Sequence, residues 1–304
     1  MSFDFAVIGS INMDLVSRVD RFPGPGETRT GTEFGTFPGG KGANQAVALA
    51  RLGGAVLMVG KVGSDVFGTR YREIFDAEGV SCEAVATEEG STGVAVIQVN
   101  DEGENTIIVV PGANGEVTPE YVRHARETFV GVSYALFQLE IPLETVERSL
   151  SICKEEGVGT ILDPAPAVEL PDSLLGSVDI ITPNVGEAEL LTGIGVSGEG
   201  SARKAAGALL DRGVGTVVLK AGADGAYVVT GDEFEHVPGL SVDVKDTTAA
   251  GDAFNAGLSF ALHRGDSLVE AARFACAVGA LSTTAVGAQS AMPGLDAVEA
   301  LLGR

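Results

Sequence analysis

Residues 246–255, Asp-Thr-Thr-Ala-Ala-Gly-Asp-Ala-Phe-Asn, carry the strongest chemical signal in the chain. Ala249, Ala250 and Gly251 have almost no side chain and lead directly into one carboxylate, Asp252, after which Phe254, Leu258, Ala261 and Leu262 set an apolar helical pattern. A small-residue turn entering a helix leaves backbone N–H groups unpaired at the positive end of the helix dipole. Nothing bulky then keeps an anion from that backbone. A carboxylate in such a spot either caps the helix or works as a base beside a bound phosphate, and this segment alone leaves both readings open.

Other candidates sit where apolar strand-like runs end. Ser10-Ile-Asn-Met-Asp14 follows a strand predicted at 5–9. Asn12 and Asp14, two apart on an extended chain, point to the same side and suit a bidentate grip on vicinal hydroxyls, although Asn and Asp also form turns. Gly39-Gly-Lys-Gly-Ala-Asn-Gln-Ala46 offers Gly40 for close backbone approach and Lys41 and Asn44 as donors, ahead of a helix expected from Gln45 to about Leu52. Its spacing is not that of a Walker loop. Glu140 ends the apolar run 135–139. Asn184 and Glu187 have capping-box spacing; the alternative use of that pair is to organise a hydrated Mg²⁺ near phosphates, since Mg²⁺ keeps its water and takes few carboxylates. Lys220-Ala-Gly-Ala-Asp-Gly225 follows another strand, and Gly222 and Gly225 leave room for a nucleotide. His124, His236 and His263 lie in surface-like contexts and receive no catalytic or metal role.

These residues need a scaffold that gathers strand ends. Strands expected at 56–59, 135–139, 160–162, 178–181 and 216–219 alternate with helices expected at 68–78, 144–155, 187–191, 202–212, 250–263, 267–281 and 295–302. That alternation predicts an α/β protein with a mainly parallel sheet covered by helices on both faces. Residues 14–37 and 91–110 break the rhythm and read as β ribbons, with strands at 15–19, 28–37, 93–99 and 106–110 and a hairpin turn at 100–105. Uncovered ribbons of this kind serve as a lid or an oligomer interface. The expectation is one domain over 1–304, its α/β body at about 1–13, 38–90 and 111–304 and its β lid at about 14–37 and 91–110.

Bulk properties narrow the function further. A chain of 304 residues with 45% hydrophobic content has ample material for a core. Its net charge of −22, with only six lysines, repels nucleic acid and anionic membrane surfaces. The acidic residues are dispersed, and such self-repulsion is tolerable where salt screens it, the Debye length being about 3 Å at 1 M; a high-salt cytoplasm is expected. The N-terminus has no signal-like pattern and reads as intracellular. Cys82, Cys153 and Cys276 have no paired spacing and read as small core hydrophobes in a reducing compartment.

Taken in order, the motifs resemble the ribokinase-like (PfkB) family of carbohydrate kinases over essentially the whole length. Ser10–Asp14 with Phe22-Pro-Gly-Pro-Gly-Glu27, 39–46 and 246–255 are similar to the family's two signature regions. Ser91-Thr-Gly-Val-Ala95, Glu102-Gly-Glu-Asn105, Pro164-Ala-Pro166, Glu169-Leu-Pro-Asp172 and Gly287-Ala-Gln289 resemble its ribose-phosphorylating members. The resemblance implies a three-layer α/β/α fold with a small β-sheet lid and transfer of the ATP γ-phosphoryl to the 5-hydroxyl of D-ribose. Asp252 would be the general base and the N–H groups of Ala249, Ala250 and Gly251 the anion hole. Asn12, Asp14, Gly40, Lys41, Asn44 and Glu140 would hold the sugar. Asn184, Lys220, Gly222, Gly225 and Gly251 would line the ATP site, with Glu187 acting on Mg²⁺ through water. A monovalent cation, K⁺, would bind at Asp246, Thr248 and Gly287, and the lids would pair two subunits.

Three positions depart from the family pattern. Ala291 stands where a serine hydroxyl completes the cation loop, with Ser290 adjacent; Lys220 replaces a more usual neutral residue; Cys276 lies on a helix that borders adenine in the family. Two alternatives stay open. The mechanism is compatible with other acceptors (ribose 1-phosphate, a nucleoside, 2-keto-3-deoxygluconate), for which Arg18, Arg21 and Arg29 are candidate phosphate contacts. A catalytically idle sugar- or nucleotide-binding regulator is the second, against which an intact Asp252 argues.

Overall fold

A computed structural model describes residues 2–304. The chain runs through β1 (Phe5–Ile8), β2 (Asn12–Arg18), β3 (Glu33–Gly39), α1 (Lys41–Arg51), β4 (Val56–Gly63), α2 (Val66–Glu78), β5 (Ser81–Glu88), β6 (Gly93–Val99) and β7 (Asn105–Val110). It continues with α3 (Pro119–Phe129), β8 (Tyr134–Phe137), α4 (Leu143–Glu156), β9 (Gly159–Leu162), α5 (Asp172–Leu175), β10 (Ile180–Ile181), α6 (Val185–Thr192) and α7 (Glu199–Leu210). The last part holds β11 (Thr216–Lys220), β12 (Ala226–Val229), β13 (Phe234–Val237), α8 (Ala250–His263), α9 (Leu268–Ser282) and α10 (Leu295–Leu302).

Nine strands form one sheet in the order β13-β12-β11-β10-β9-β8-β1-β4-β5. Its strands are parallel from β11 to β5, and β12 and β13 add an antiparallel edge. Alternation along each strand splits the core into two. Phe5, Val7, Met58, Leu136 and Val218 face one way, onto α1, α2, α8 and α9. Ala6, Ile8, Leu57, Phe137 and Val217 face the other, onto α3, α4, α6 and α7. Where both faces of a strand are covered, as in β1, β8, β10 and β12, every residue is apolar, which is why these strands consist of short continuous hydrophobic runs. The fold is three-layer α/β/α.

The order of strands reverses at β1. From it the chain proceeds outward through β4 and β5 on one side and returns to build β8 through β11 on the other. Such a switch opens a crevice at the strands' carboxyl ends.

A second sheet, β3-β2-β6-β7, stands apart from the first and is mixed, β2 and β6 being parallel. The hairpin turn is tied by Asn100, whose Oδ1 accepts from the N–H of Glu102 (3.1 Å) and of Glu104 (2.8 Å). The whole of β7 is exposed, with Ile108 at 66%, and Phe34 and Phe37 are exposed on β3.

Several boundaries differ from expectation. The strand pairing of the small sheet starts at Asn12, and residues 28–32 are not strand. The glycine segment is not a loop ahead of the helix: α1 begins at Lys41, so Lys41 and Asn44 are helical residues. β5 and α3 had not been anticipated. β5 has the sequence SCEAVATE, too polar to read as a buried strand, while α3 carries a Thr118 N-cap and Pro119 in its first turn. No helix among the described residues is long and apolar enough to cross a membrane. Cys153 and Cys276 are buried and Cys82 is half-buried; all are free thiols.

Candidate active site

The crevice is built at the β1–β8 switch. The missing Cβ atoms of the glycine segment let the start of α1 lie against the β1–β2 turn: a Cβ on Gly40 would come within 2.6 Å of the Asn12 nitrogen, and one on Gly42 within 2.6 Å of the Ser10 nitrogen. Gly40 also needs its φ of 86°, which costs a residue with a side chain. The glycines therefore serve the approach of two backbone segments. Glu140, just beyond β8, gathers them, its Oε2 accepting from Ser10 Oγ at 2.5 Å, Lys41 N at 3.2 Å and Asn12 Nδ2 at 3.3 Å. Asn114, fully buried, orients Asn12 by donating Nδ2 to Asn12 Oδ1 at 2.6 Å.

Asp14 extends from β2 beside these groups and accepts no hydrogen bond among the described residues. Burial, with Glu140 and Asp252 adding repulsion, pushes its carboxyl up to about 7. Lys41 is the counterweight: burial opposes its charge, but Asp252, Asp163, Glu140 and Glu187 together outweigh that and hold the ammonium protonated well above its ordinary range.

Asp252, 4% exposed, sits in the first turn of α8. Two consecutive residues of α1 hold its carboxylate, Asn44 Nδ2 at 2.9 Å from Oδ2 and Gln45 Nε2 at 3.1 Å from Oδ1. Burial raises its pKa to about 6, with Lys41 pulling it down and Asp163 pushing it up. It does not cap α8 through its side chain. The cap residue is Ala249, left-handed at φ 60°, the one non-glycine residue with positive φ among those described. The N–H groups of Ala249 and Gly251 make no hydrogen bond among the described residues. The Ala250 N–H does: it closes onto the Thr247 carbonyl at 3.2 Å, so the expected trio of donors is a pair in this conformation.

At the neighbouring strand ends, Asn184 and Glu187 form a full capping box: Asn184 Oδ1 accepts from Glu187 N at 2.9 Å, and Glu187 Oε2 accepts from Asn184 N at 2.7 Å. Burial raises the Glu187 pKa, against the pull of Lys220. The Lys220 ammonium is 2.7 Å from Asp163 Oδ1 and close to Gly251, where a Cβ would lie 3.3 Å from Nζ. Gly222 faces open space, whereas Gly225 is explained by the chain itself, since a Cβ there would meet the Val237 carbonyl at 2.1 Å. Asp246 staples two loops, accepting from Thr248 N at 2.9 Å and Gly287 N at 2.8 Å. Burial opposes the charge of Asp246, but the Thr248 hydroxyl, which donates to it at 2.6 Å, and these two N–H donors outweigh it and lower its pKa. Ser290 Oγ donates to the Val286 carbonyl at 3.0 Å and lies over Gly287. Arg18, Arg21 and Arg29 pair with the nearby carboxylates of Glu33, Glu27 and Asp20.

Sequence reasoning named Asn12, Asp14, Lys41, Asn44, Glu140 and Asp252, and the structure brings them into one network of hydrogen bonds and close charges. It missed Gln45, Asn114, Asp163 and Gln289. The last donates to Asn44 Oδ1 at 3.2 Å and to the Tyr71 hydroxyl at 3.3 Å, and Tyr71 in turn donates to the Asn12 carbonyl at 2.8 Å.

Comparison with known proteins gives the family and the fold. The model of the pfkB family carbohydrate kinases matches residues 3–295. A ribokinase of Haemophilus influenzae is 44% identical over 288 residues, 94% of either chain. The crystal structure of a ribokinase from Thermotoga maritima covers all of both chains with a TM-score of 0.92 at 37% identity. An Arabidopsis thaliana ribokinase complexed with ribose and ATP does the same with a TM-score of 0.93 at 32% identity. The chain is a member of the pfkB family of carbohydrate kinases, phosphotransferases that act on an alcohol group.

Proposed function

We propose that this protein is an ATP-dependent kinase of D-ribose that phosphorylates the 5-hydroxyl. The observation that carries the reading is the setting of Asp252: a buried carboxylate one residue beyond the open N–H of Gly251, in a chain this similar to ribokinases along its whole length. Asp252 takes the proton of the 5-hydroxyl as its oxygen attacks the γ-phosphorus; the O–H bond breaks, the new O–P bond forms in line, and ADP leaves with the electron pair of the old P–O bond. The N–H groups of Ala249 and Gly251 hold the equatorial oxygens, joined by that of Ala250 when its turn opens. Transfer of this kind needs positioning and charge neutralisation more than covalent help.

Asp14 is a half-buried acceptor without a donor among the described residues, and a sugar hydroxyl supplies one; Asn12, Gly40, Lys41, Asn44 and Glu140 complete the sugar cradle. Asn184, Lys220 and Gly222 line the phosphates of ATP, with Gly225 shaping that loop. Glu187 suits Mg²⁺ held through water: it is one carboxylate, with no cluster of three ligating side chains nearby among the described residues. Mg²⁺ held there would supply charge neutralisation of the phosphate oxygens. Asp246, Thr248 and Gly287 suit a monovalent cation such as K⁺, because hydrogen bonds keep Asp246 charged; Ala291 brings no hydroxyl and Ser290 lies next to it. The body with its small-sheet lid works as one domain, and the apolar Phe34, Phe37, Ile107 and Ile108 suit pairing of two lids in a homodimer. The charge of −22 suits a salt-rich cytoplasm. No observation favours a phosphorylated acceptor, the lid arginines being paired internally, nor an idle regulator.

A coupled ADP-release assay over ribose, 2-deoxyribose, ribose 1-phosphate, nucleosides and 2-keto-3-deoxygluconate, in molar KCl with Mg²⁺, tests this. Ribose turnover well above the rest is expected; a preference for another acceptor overturns the ribose assignment.

A further inference from the structure

We propose that Gln45 is a positioning residue that fixes the orientation of the Asp252 carboxylate, with Asp163 and Lys220 holding it from behind. The proposal rests on Asp252 as the base. Gln45 has no exposed surface. Its Nε2 donates one hydrogen to Asp252 Oδ1 at 3.1 Å and the other to Asp163 Oδ2 at 3.2 Å, while its Oε1 accepts from Gln138 Nε2 at 2.7 Å. A rotated amide would turn its oxygen against two carboxylates, so all three contacts select one orientation.

The consequence for Asp252 is geometric. Each of its oxygens takes one amide donor, from Asn44 and from Gln45, and each keeps lone pairs for a proton from substrate. The plane of the carboxylate is thereby set by α1, the helix that also brings Lys41 to the cleft. Asp163 is 3% exposed and bonded to Lys220 at 2.7 Å. The sequence of charges is thus cation, carboxylate, neutral amide, carboxylate, and the amide separates two buried acids while bonding both. Removing either donor costs orientation, which counts heavily when a proton must pass in line with attack.

The charged groups facing Asp252 are Lys41 from α1, Asp163 from the end of β9 and Asp14 from β2, with Lys220 behind Asp163. Asp14 titrates in a similar range and feels the Asp252 charge, but neither Gln45 nor Asp163 acts on it directly, so a shift produced at either residue reaches the limb through Asp252.

The test measures kcat, both KM values and the pH profile of kcat/KM for Gln45→Met and Asp163→Asn with ribose and MgATP. Gln45→Met is expected to lower kcat about 10-fold or more with KM values within about 3-fold. It should also move the acid limb to higher pH, because a hydrogen bond to the charged form is lost. Asp163→Asn should move the limb to lower pH, one repelling charge being gone. Unchanged kcat and limb in a folded Gln45→Met, or no shift in Asp163→Asn, overturns the proposal; if Gln45→Met does not fold, Asp163→Asn decides alone. Asp252→Asn in the same assay separates the two claims: near-normal activity there removes the base itself, whereas loss there with both other variants unaltered removes only the positioning role.

Discussion

Asn44 and Asp252, 208 positions apart in the chain, meet through a 2.9 Å hydrogen bond in the middle of the cleft. The bond joins α1, which follows the glycine segment, to α8, which opens on the small-residue turn. In the proposed mechanism this would connect acceptor binding to phosphoryl binding through the carboxylate that lies between them.

As the proposed base, Asp252 can act only when ionised, and burial raises its pKa to about 6. Lys41 keeps its charge throughout. Activity should fall as pH drops, by about tenfold per unit below the limb, and more steeply if Asp14, at about 7, must also be ionised for sugar binding. A profile of kcat/KM from pH 5 to 8 checks this, and a flat profile down to pH 5 contradicts it.

Asp14 should cost stability. Its native pKa of about 7 exceeds the ordinary 3.8, so between those values the native state holds more protons than the unfolded chain. Stability contributed by this group falls as pH rises through that window, and the deficit is complete above it. Asp14→Asn is expected to stabilise the protein at pH 8 by about 1 kcal/mol or more and much less near pH 4. The KM for ribose should rise steeply. Thermal melts at the two pH values decide, an unchanged or lower Tm at pH 8 being the contrary result.

How much of this was legible in the sequence depends on distance along the chain. The turn at 249–252 could be read because its parts are contiguous, and the strand-end positions of Asn12 and Glu140 followed from hydrophobic runs. Gln45, Asp163 and Asn114 escaped because what defines them is contact with residues about a hundred or more positions away. The start of α1 was misplaced because glycines signal loops, whereas here they serve a close approach of helix to strand turn. The Asn184 and Glu187 pair read correctly as a capping box because its parts lie three positions apart.

Ala249 holds a left-handed conformation at φ 60°, which costs a residue with a Cβ about 1 kcal/mol. Ala249→Gly should raise stability in chemical denaturation by up to that amount, the more flexible unfolded chain taking back part of it. A loss of more than about 1 kcal/mol would show that the conformation is not strained.

The net charge of −22 sets a salt dependence. Screening relieves self-repulsion among dispersed acidic groups, so the urea midpoint should rise from dilute buffer to molar KCl. Undiminished stability in dilute buffer would remove the high-salt reading.

In the proposed mechanism Asp252 takes the proton from the acceptor. The direct measurement is kcat for Asp252→Asn with ribose and MgATP, alongside calorimetric binding of ATP. Loss of at least about 10²-fold in kcat with ATP binding intact is the predicted result; a near-normal kcat contradicts it.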